Sequence, residues 1–357
     1  MSILNNPKAL LQLDSLGSLE TTANYPAQFA HGLKLAAQFT LPASLRREYH
    51  EILFLGTGGG SSIAGALLTS LFFGCLRQPV IINQGYNIPA FADENTLVIV
   101  LSHSGNTEEI LSAFGQACRA GCKAFAITAG GALGEICAAE GIPCLLVPRD
   151  IGHPRRDLGY IVPPLVLALA QLGLVPDITE DIREAIVLME QLSRQYAVAR
   201  PVADNPAKQL AEKIQGHIPL IYGSSDYLRA PAWRWKNQFG ENSKLMAFYN
   251  LIPHLHHDEA VGWDMEPELR QKFFLIMLRD DRLDQPKVSK RKEITVDLLR
   301  ERMGGVEEVW AQGESPFARI FSLIYLGDFV SLYAAAVRGI DPTPVAIINL
   351  FKEKMNR

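Results

Sequence analysis

Between residues 101 and 109 the phrase LSHSGNTEE gathers Ser102, Ser104 and Thr107 around Gly105, where a strongly apolar run gives way to a helical pattern. Hydroxyl donors and free backbone N–H groups at a helix N-terminus meet a dipole that favours an anion, and glycine lets the backbone approach closely. Three hydroxyls and a glycine in six residues predict a phosphate cradle. The plainer alternative is an N-cap in which Asn106 or Thr107 serves only its own helix.

Upstream, GTGGGSSIAG at 56–65 forms another strand-to-helix turn. Gly56 and Gly58 suit a dinucleotide fingerprint, but the third glycine position holds Ser61, and the next strand, PVIINQGYN, ends without an acidic residue. Gly59, Gly60, Ser61 and Ser62 are therefore expected to form a second wall of a small-ligand pocket.

Three further clusters carry charge. Glu241, in ENSK, follows a helical stretch bearing Trp233, Arg234, Trp235 and Lys236; there a carboxylate can face a cleft or simply end a helix at the surface. PRRDLGY, 154–160, offers the permanent cation Arg155. It also offers Asp157, which with Arg155 could be an ordinary helix-start pair. PHLHHDEAVGW sets His254, His256 and His257 beside Asp258 and Glu259. Zinc needs convergent ligands, whereas this run alternates sides of the chain, so no metal is expected. Lys352, near the C-terminus, is by default a solvated helix lysine.

The elements that position these groups alternate between short β-rich runs and helical patterns, an α/β layered fold with largely parallel sheets. ILFLG, PVIIN, TLVIVLS, KAFAIT and PCLLV are strand candidates, with crossover helices in SSIAGALLTSLFFG, NTEEILSAFGQACRAG and ALGEICAAEG. Residues 157–200 predict two long helices broken by Gly173 and Pro176. A second series follows: strand PLIYG, a helix from Tyr227, strands LMAFYN, KFFLIMLRD and VEEVWAQG, and a long helix through FARIFSLIYLGDFVSLYAAAV. EILFLGTGG and IPLIYGSS correspond in position, which points to an internal duplication of one doubly wound lobe.

At 357 residues and 48% hydrophobic composition, the chain can bury more than one core. Its net charge of -4, with no block of like charges, argues against nucleic acid and anionic membrane surfaces as partners. The N-terminus lacks a signal-peptide pattern and no stretch reads as a membrane span, so a cytoplasmic protein is expected. Cys75, Cys118, Cys122, Cys137 and Cys144 are expected to be buried, reduced thiols.

SHSGNT resembles the S-x-S-G-N-T phosphosugar loop of sugar isomerase (SIS) domains, and GTGGGSS is similar to their first glycine loop with one glycine more. PRRDLGY, ENSK, HDEAVGW and the later DPTPV resemble bifunctional phosphoglucose/phosphomannose isomerases, and these phrases span both halves of the chain. The resemblance implies two doubly wound, flavodoxin-like SIS lobes. The N-terminal lobe covers 1–155 with a helical N-terminal extension, a helical connector covers 156–202, and the C-terminal lobe covers 203–357.

It further implies an aldose-ketose isomerase of carbohydrate metabolism that interconverts glucose 6-phosphate or mannose 6-phosphate with fructose 6-phosphate through a cis-enediolate, with no metal or organic cofactor. Ser102, Ser104 and Thr107 would hold the phosphate. Glu241 would be the base, aided by partial burial; Arg155 would steady the enediolate; His257 and Lys352 would open the sugar ring. The partner subunit of a homodimer would supply the histidine.

This chain departs from the usual P-E-L-N-H-N-E form at His254, His256 and Asp258, and Arg156 and Asp157 replace small residues. Those departures bear on substrate range and pH dependence. Thr343 could leave room for water near C1 and C2, which would accommodate the C2 epimer. The competing expectations are a phosphosugar-binding regulator without turnover, and an amino-sugar phosphate isomerase or deglycase. Against the first stands the set of Glu241, His257, Arg155 and Lys352; against the second stand ENSK and HDEAVGW.

Overall fold

A computed structural model describes residues 2–149 and 154–355. Three helices, α1 (Pro7–Leu13), α2 (Ser18–Ala23) and α3 (Tyr25–Gln38), precede the first sheet. That sheet holds β1 (Glu51–Leu55), β2 (Val80–Asn83), β3 (Thr96–Ser102), β4 (Lys123–Thr128) and β5 (Cys144–Leu146), all parallel, in the order β2-β1-β3-β4-β5. Its crossovers include α4 (Gly58–Leu71), α5 (Glu108–Arg119) and α6 (Gly131–Glu140). All seven residues of β3 are buried, which is why TLVIVLS reads as a continuous apolar run: a central parallel strand is covered on both faces.

The connecting helices are α7 (Leu158–Gln171), α8 (Thr179–Gln195) and α9 (Pro206–Lys213). The second sheet is built from β6 (Ile218–Ser224), α10 (Arg229–Ser243), β7 (Phe248–Ile252), α11 (Pro267–Arg270), β8 (Phe273–Arg279), α12 (Pro286–Leu299) and β9 (Gly305–Trp310). Its order, β7-β6-β8-β9, again all parallel, repeats that of β2-β1-β3-β4. The chain ends in α13 (Pro316–Val337) and α14 (Ala346–Met355).

The fold differs from the sequence-based expectations at several points. Helix α12, between KFFLIMLRD and VEEVWAQG, was not foreseen; its lysine-rich start hides the pattern, yet adjacent parallel strands need such a crossover. Contrary to the expectation that no stretch could span a bilayer, α13 is long and apolar enough to do so, but most of it is buried inside the protein. It packs on α2, α8, α9 and α10, and its two charged residues, Arg319 and Asp328, are buried with partners, the behaviour of a core helix. Among the cysteines only Cys137 is fully buried; Cys75 is exposed and the other three are half-buried.

Candidate active site

In an open α/β sheet, ligands bind beyond the carboxyl ends of the strands where the strand order reverses. Here that point lies between β1 and β3, and the turns that follow them are the two hydroxyl- and glycine-rich phrases. After β3, Ser102 is buried and its Oγ lies 3.1 Å from Thr107 Oγ1. Ser104 is exposed, and its Oγ accepts from the Asn106 N–H at 3.3 Å. Gly105 has φ 68, and a Cβ there would run into the Gly130 carbonyl, so the turn requires glycine. Thr107 stands at the N-cap of α5 without a side-chain capping bond, while Asn106 Oδ1 accepts from the Ala132 N–H at 3.0 Å on α6. These side chains therefore tie the loop to itself and to the next turn; they do not cap α5.

After β1, the chain enters α4 at Gly58, and Thr57 likewise makes no side-chain cap. Gly60, Ser61 and Ser62 are buried, and Ser62 Oγ donates to the Gly58 carbonyl. At Gly59 the backbone faces Glu241: a Cβ on Gly59 would collide with Glu241 Oε1 and would lie 3.7 Å from Arg155 Cβ.

Glu241 lies within the last turn of α10, which continues to Ser243, and so not beyond the helix as its sequence suggested. The helix stops at Lys244, in the left-handed region at φ 52, whose Nζ donates to the carbonyls of Glu241 (2.6 Å) and Pro342 (2.9 Å). Arg155 is 1% exposed. Its Nε donates to Asn242 Oδ1 at 2.7 Å, its Nη2 to the carbonyls of Pro342 (2.7 Å) and Thr343 (3.3 Å), and its Nη1 lies 3.6 Å from Glu241 Oε2.

Burial raises the Glu241 pKa, and the Arg155 guanidinium opposes that rise. Burial also brings Arg155 down to about 10, which leaves it charged at neutral pH. A carboxylate of raised basicity beside a fixed cation can take a proton from carbon while the cation holds the oxygen that gains charge.

Arg234 of α10 was not foreseen as part of this framework. Fully buried, it donates to Asp328 of α13 (2.7 Å from Nη2 to Oδ2), to the Gly59 carbonyl (3.2 Å) and to the Arg155 carbonyl (3.0 Å). Asp328 also accepts from Tyr25 (2.9 Å) and Gln238 (3.0 Å). The tryptophans flanking Arg234 hint at burial, but no sequence signal locates its partner ninety-four residues away.

The other expected groups are placed differently. His254, His256 and His257 share a short 3₁₀ turn after β7. His254 pairs with Asp258 at 3.1 Å, His256 meets Thr295 Oγ1 at 2.8 Å, and His257 is exposed. Glu259 accepts from Tyr222 and, at 2.7 Å, from Asn250, while Trp263 donates to Tyr222 at 3.1 Å, so the rest of HDEAVGW pins this loop to β6 and β7. Lys352 is exposed on α14. Thr343 is buried, with Oγ1 bonded to Ser18 (3.0 Å) and Arg156 (3.2 Å). A cavity of about 750 Å³ runs from Glu241 and Lys244 to Asp341 and the apolar start of α14.

Residues 203–355 match the family described as the bacterial phospho-glucose isomerase C-terminal SIS domain. The chain is 37% identical to a bifunctional phosphoglucose/phosphomannose isomerase of Caldicellulosiruptor bescii, covering 94% of this chain and 98% of that protein. It is 33% identical to one of Thermoplasma acidophilum, covering 92% and 98%. Among solved structures, the tagatose-6-phosphate ketose/aldose isomerase of Escherichia coli superposes with a TM-score of 0.68 at 16% identity, over 92% of this chain and 95% of that one. A glucose-6-phosphate isomerase like protein of Thermus thermophilus gives 0.62 at 18%, over 97% and 99%. At those identities the two structures speak for the fold alone.

Proposed function

The chain belongs to the bifunctional phosphoglucose/phosphomannose isomerases, and on that premise we propose that it interconverts glucose 6-phosphate and mannose 6-phosphate with fructose 6-phosphate through a cis-enediolate. The observation that carries the reading is the Glu241 carboxylate held 3.6 Å from Arg155 against the glycine turn at the β1/β3 switch point.

In this mechanism the substrate phosphate sits on the turn of Ser102, Ser104 and Thr107, with the backbone of Gly59 and Gly60 and the Ser61–Ser62 turn as the opposite wall. Glu241 removes the C2 proton of the open-chain aldose and delivers it to C1; the proton on the 2-hydroxyl moves to the O1 side of the enediol system, which leaves the ketose. Arg155 holds the enediolate oxygen while its charge develops. His257 and Lys352 open the pyranose ring beforehand, the first by moving a proton between the ring oxygen and a hydroxyl.

The exposure of His257 suits a group delivered across a subunit boundary, so the partner subunit's His257 completes the site in a homodimer. Every described residue of α14 is exposed, including Ile347, Leu350 and Phe351; a helix with that apolar surface suits burial against a second copy. We place the enzyme in the cytoplasm, where a reversible step of this kind serves both glycolysis and gluconeogenesis. Isomerisation in deuterated water tests the chemistry. Solvent deuterium should enter C2 of recovered aldose with wild-type protein and not with Glu241→Gln; isomerisation without exchange in either would favour a hydride shift over the enediolate.

A further inference from the structure

His103, between the two loop serines, has not entered the mechanism, nor has Asp157, two residues after Arg155. Asp157 stands at the N-cap of α7, as its helix-start reading expects, but makes no side-chain capping bond. Its Oδ2 instead lies 3.0 Å from His103 Nδ1, an ion-pair contact whose alignment falls short of a directed hydrogen bond. The two side chains are 1% and 8% exposed. His103 Nε2 lies 3.4 Å from the Arg149 carbonyl. Both ring nitrogens thus face oxygen atoms, an arrangement that favours the doubly protonated imidazolium.

The contact bridges the two ends of the site. One end is the turn of Ser102, Ser104 and Thr107; the other is the short helical turn Pro154–Arg156, which carries Arg155. An open-chain hexose phosphate must place its phosphate on the first and C1 and C2 beside the second.

We propose that His103 and Asp157 are positioning residues, a buried ion pair that sets the distance between the phosphate turn and Arg155 and so holds the substrate's reacting carbons against Glu241. This rests on the functional reading above. Misplacing a bound substrate by about 1 Å can cost on the order of a hundredfold in rate.

Burial pulls the His103 pKa down, but the Asp157 carboxylate outweighs it and leaves it raised; burial also raises the Asp157 pKa, against the pull of His103 and Arg234, so the pair is charged only between the two values. Among the described residues, the other charged group facing His103 is Arg149, after β5; Arg234 of α10 faces Asp157. The raised His103 pKa holds the link until pH rises through that value, and the raised Asp157 pKa releases it as pH falls through its own. The wild-type enzyme should therefore lose kcat on the alkaline side as the imidazolium deprotonates.

The test compares His103→Ala, His103→Asn and Asp157→Asn in steady-state kinetics across pH. His103→Ala and Asp157→Asn should lower kcat at least tenfold with a smaller change in KM. His103→Asn, which keeps a neutral donor where Nδ1 stood but not the charge, should recover only part of kcat and lack the alkaline limb. If Asp157→Asn fails to fold, the His103→Asn, Asp157→Asn double variant, which removes both charges, replaces it and should show the same kcat loss. Wild-type kcat and an unchanged alkaline limb in the His103 variants would overturn the positioning role. Full activity of Glu241→Gln would instead defeat the catalytic reading on which it rests.

Discussion

Glu241 Oε1 occupies the space that a side chain at position 59 would need, so Gly59, in the first turn of α4, is the seat of the carboxylate on α10. Gly59→Ala should therefore cost activity more than stability. The collision is with the far end of a flexible side chain, which can swing aside, but a displaced Glu241 leaves the reacting carbons. We expect kcat to fall on the order of a hundredfold with little change in thermal midpoint. A variant with normal kcat would separate Gly59 from the site.

Arg155 opposes the rise of the Glu241 pKa, and in the proposed mechanism it also holds the enediolate charge. Arg155→Gln should lower kcat by about a hundredfold to a thousandfold. Because only the carboxylate form of Glu241 accepts a proton, activity falls as pH drops through its pKa. Removing the guanidinium raises that pKa further, so the acid limb of the kcat/KM profile should move to higher pH. An acid limb that stays in place would mean another group controls it.

The Arg234–Asp328 pair is fully buried, and Asp328 also receives Tyr25 and Gln238. Asp328→Asn leaves a buried guanidinium without its counter-charge, at a cost of about 3–5 kcal/mol in a urea titration. Loss of under about 1 kcal/mol would show that the pair is not what holds α10 to α13.

Subunit mixing tests the shared site. Glu241→Gln and His257→Asn homodimers should each be impaired. A mixed dimer has one site that combines an intact Glu241 with the partner's intact His257, so mixing after mild dissociation should restore activity. Additive, unrestored activity would place the histidine in the same subunit as Glu241 or outside the reaction.

Much of the fold was legible because it follows from local pattern. TLVIVLS is apolar throughout since both faces of β3 are covered, and LSHSGNTEE marks the strand-to-helix turn by its glycine and hydroxyls. Helix α12 was not legible because its first turns, PKVSKRKE, are polar, and only the pairing of β8 with β9 demands it.

Within the site, the turn proposed to hold phosphate follows from residue types, whereas the roles proposed for Glu241 and Arg155 rest on the resemblance. Their proximity joins positions eighty-six residues apart, which no local pattern encodes. The same holds for Arg234 with Asp328 and for His103 with Asp157. The helix-start reading of Asp157 holds, since it is the N-cap of α7; the buried imidazole beside it is what local rules do not show.

The central claim is that Glu241 performs the proton transfer of a sugar-phosphate isomerase. The most direct measurement is a coupled assay of wild type and Glu241→Gln, with chelator present, offering glucose 6-phosphate and mannose 6-phosphate separately and detecting fructose 6-phosphate. The account predicts that wild type turns over both substrates and that the variant binds them but loses nearly all turnover. Binding without turnover by the wild type, or near-normal turnover by the variant, would contradict it.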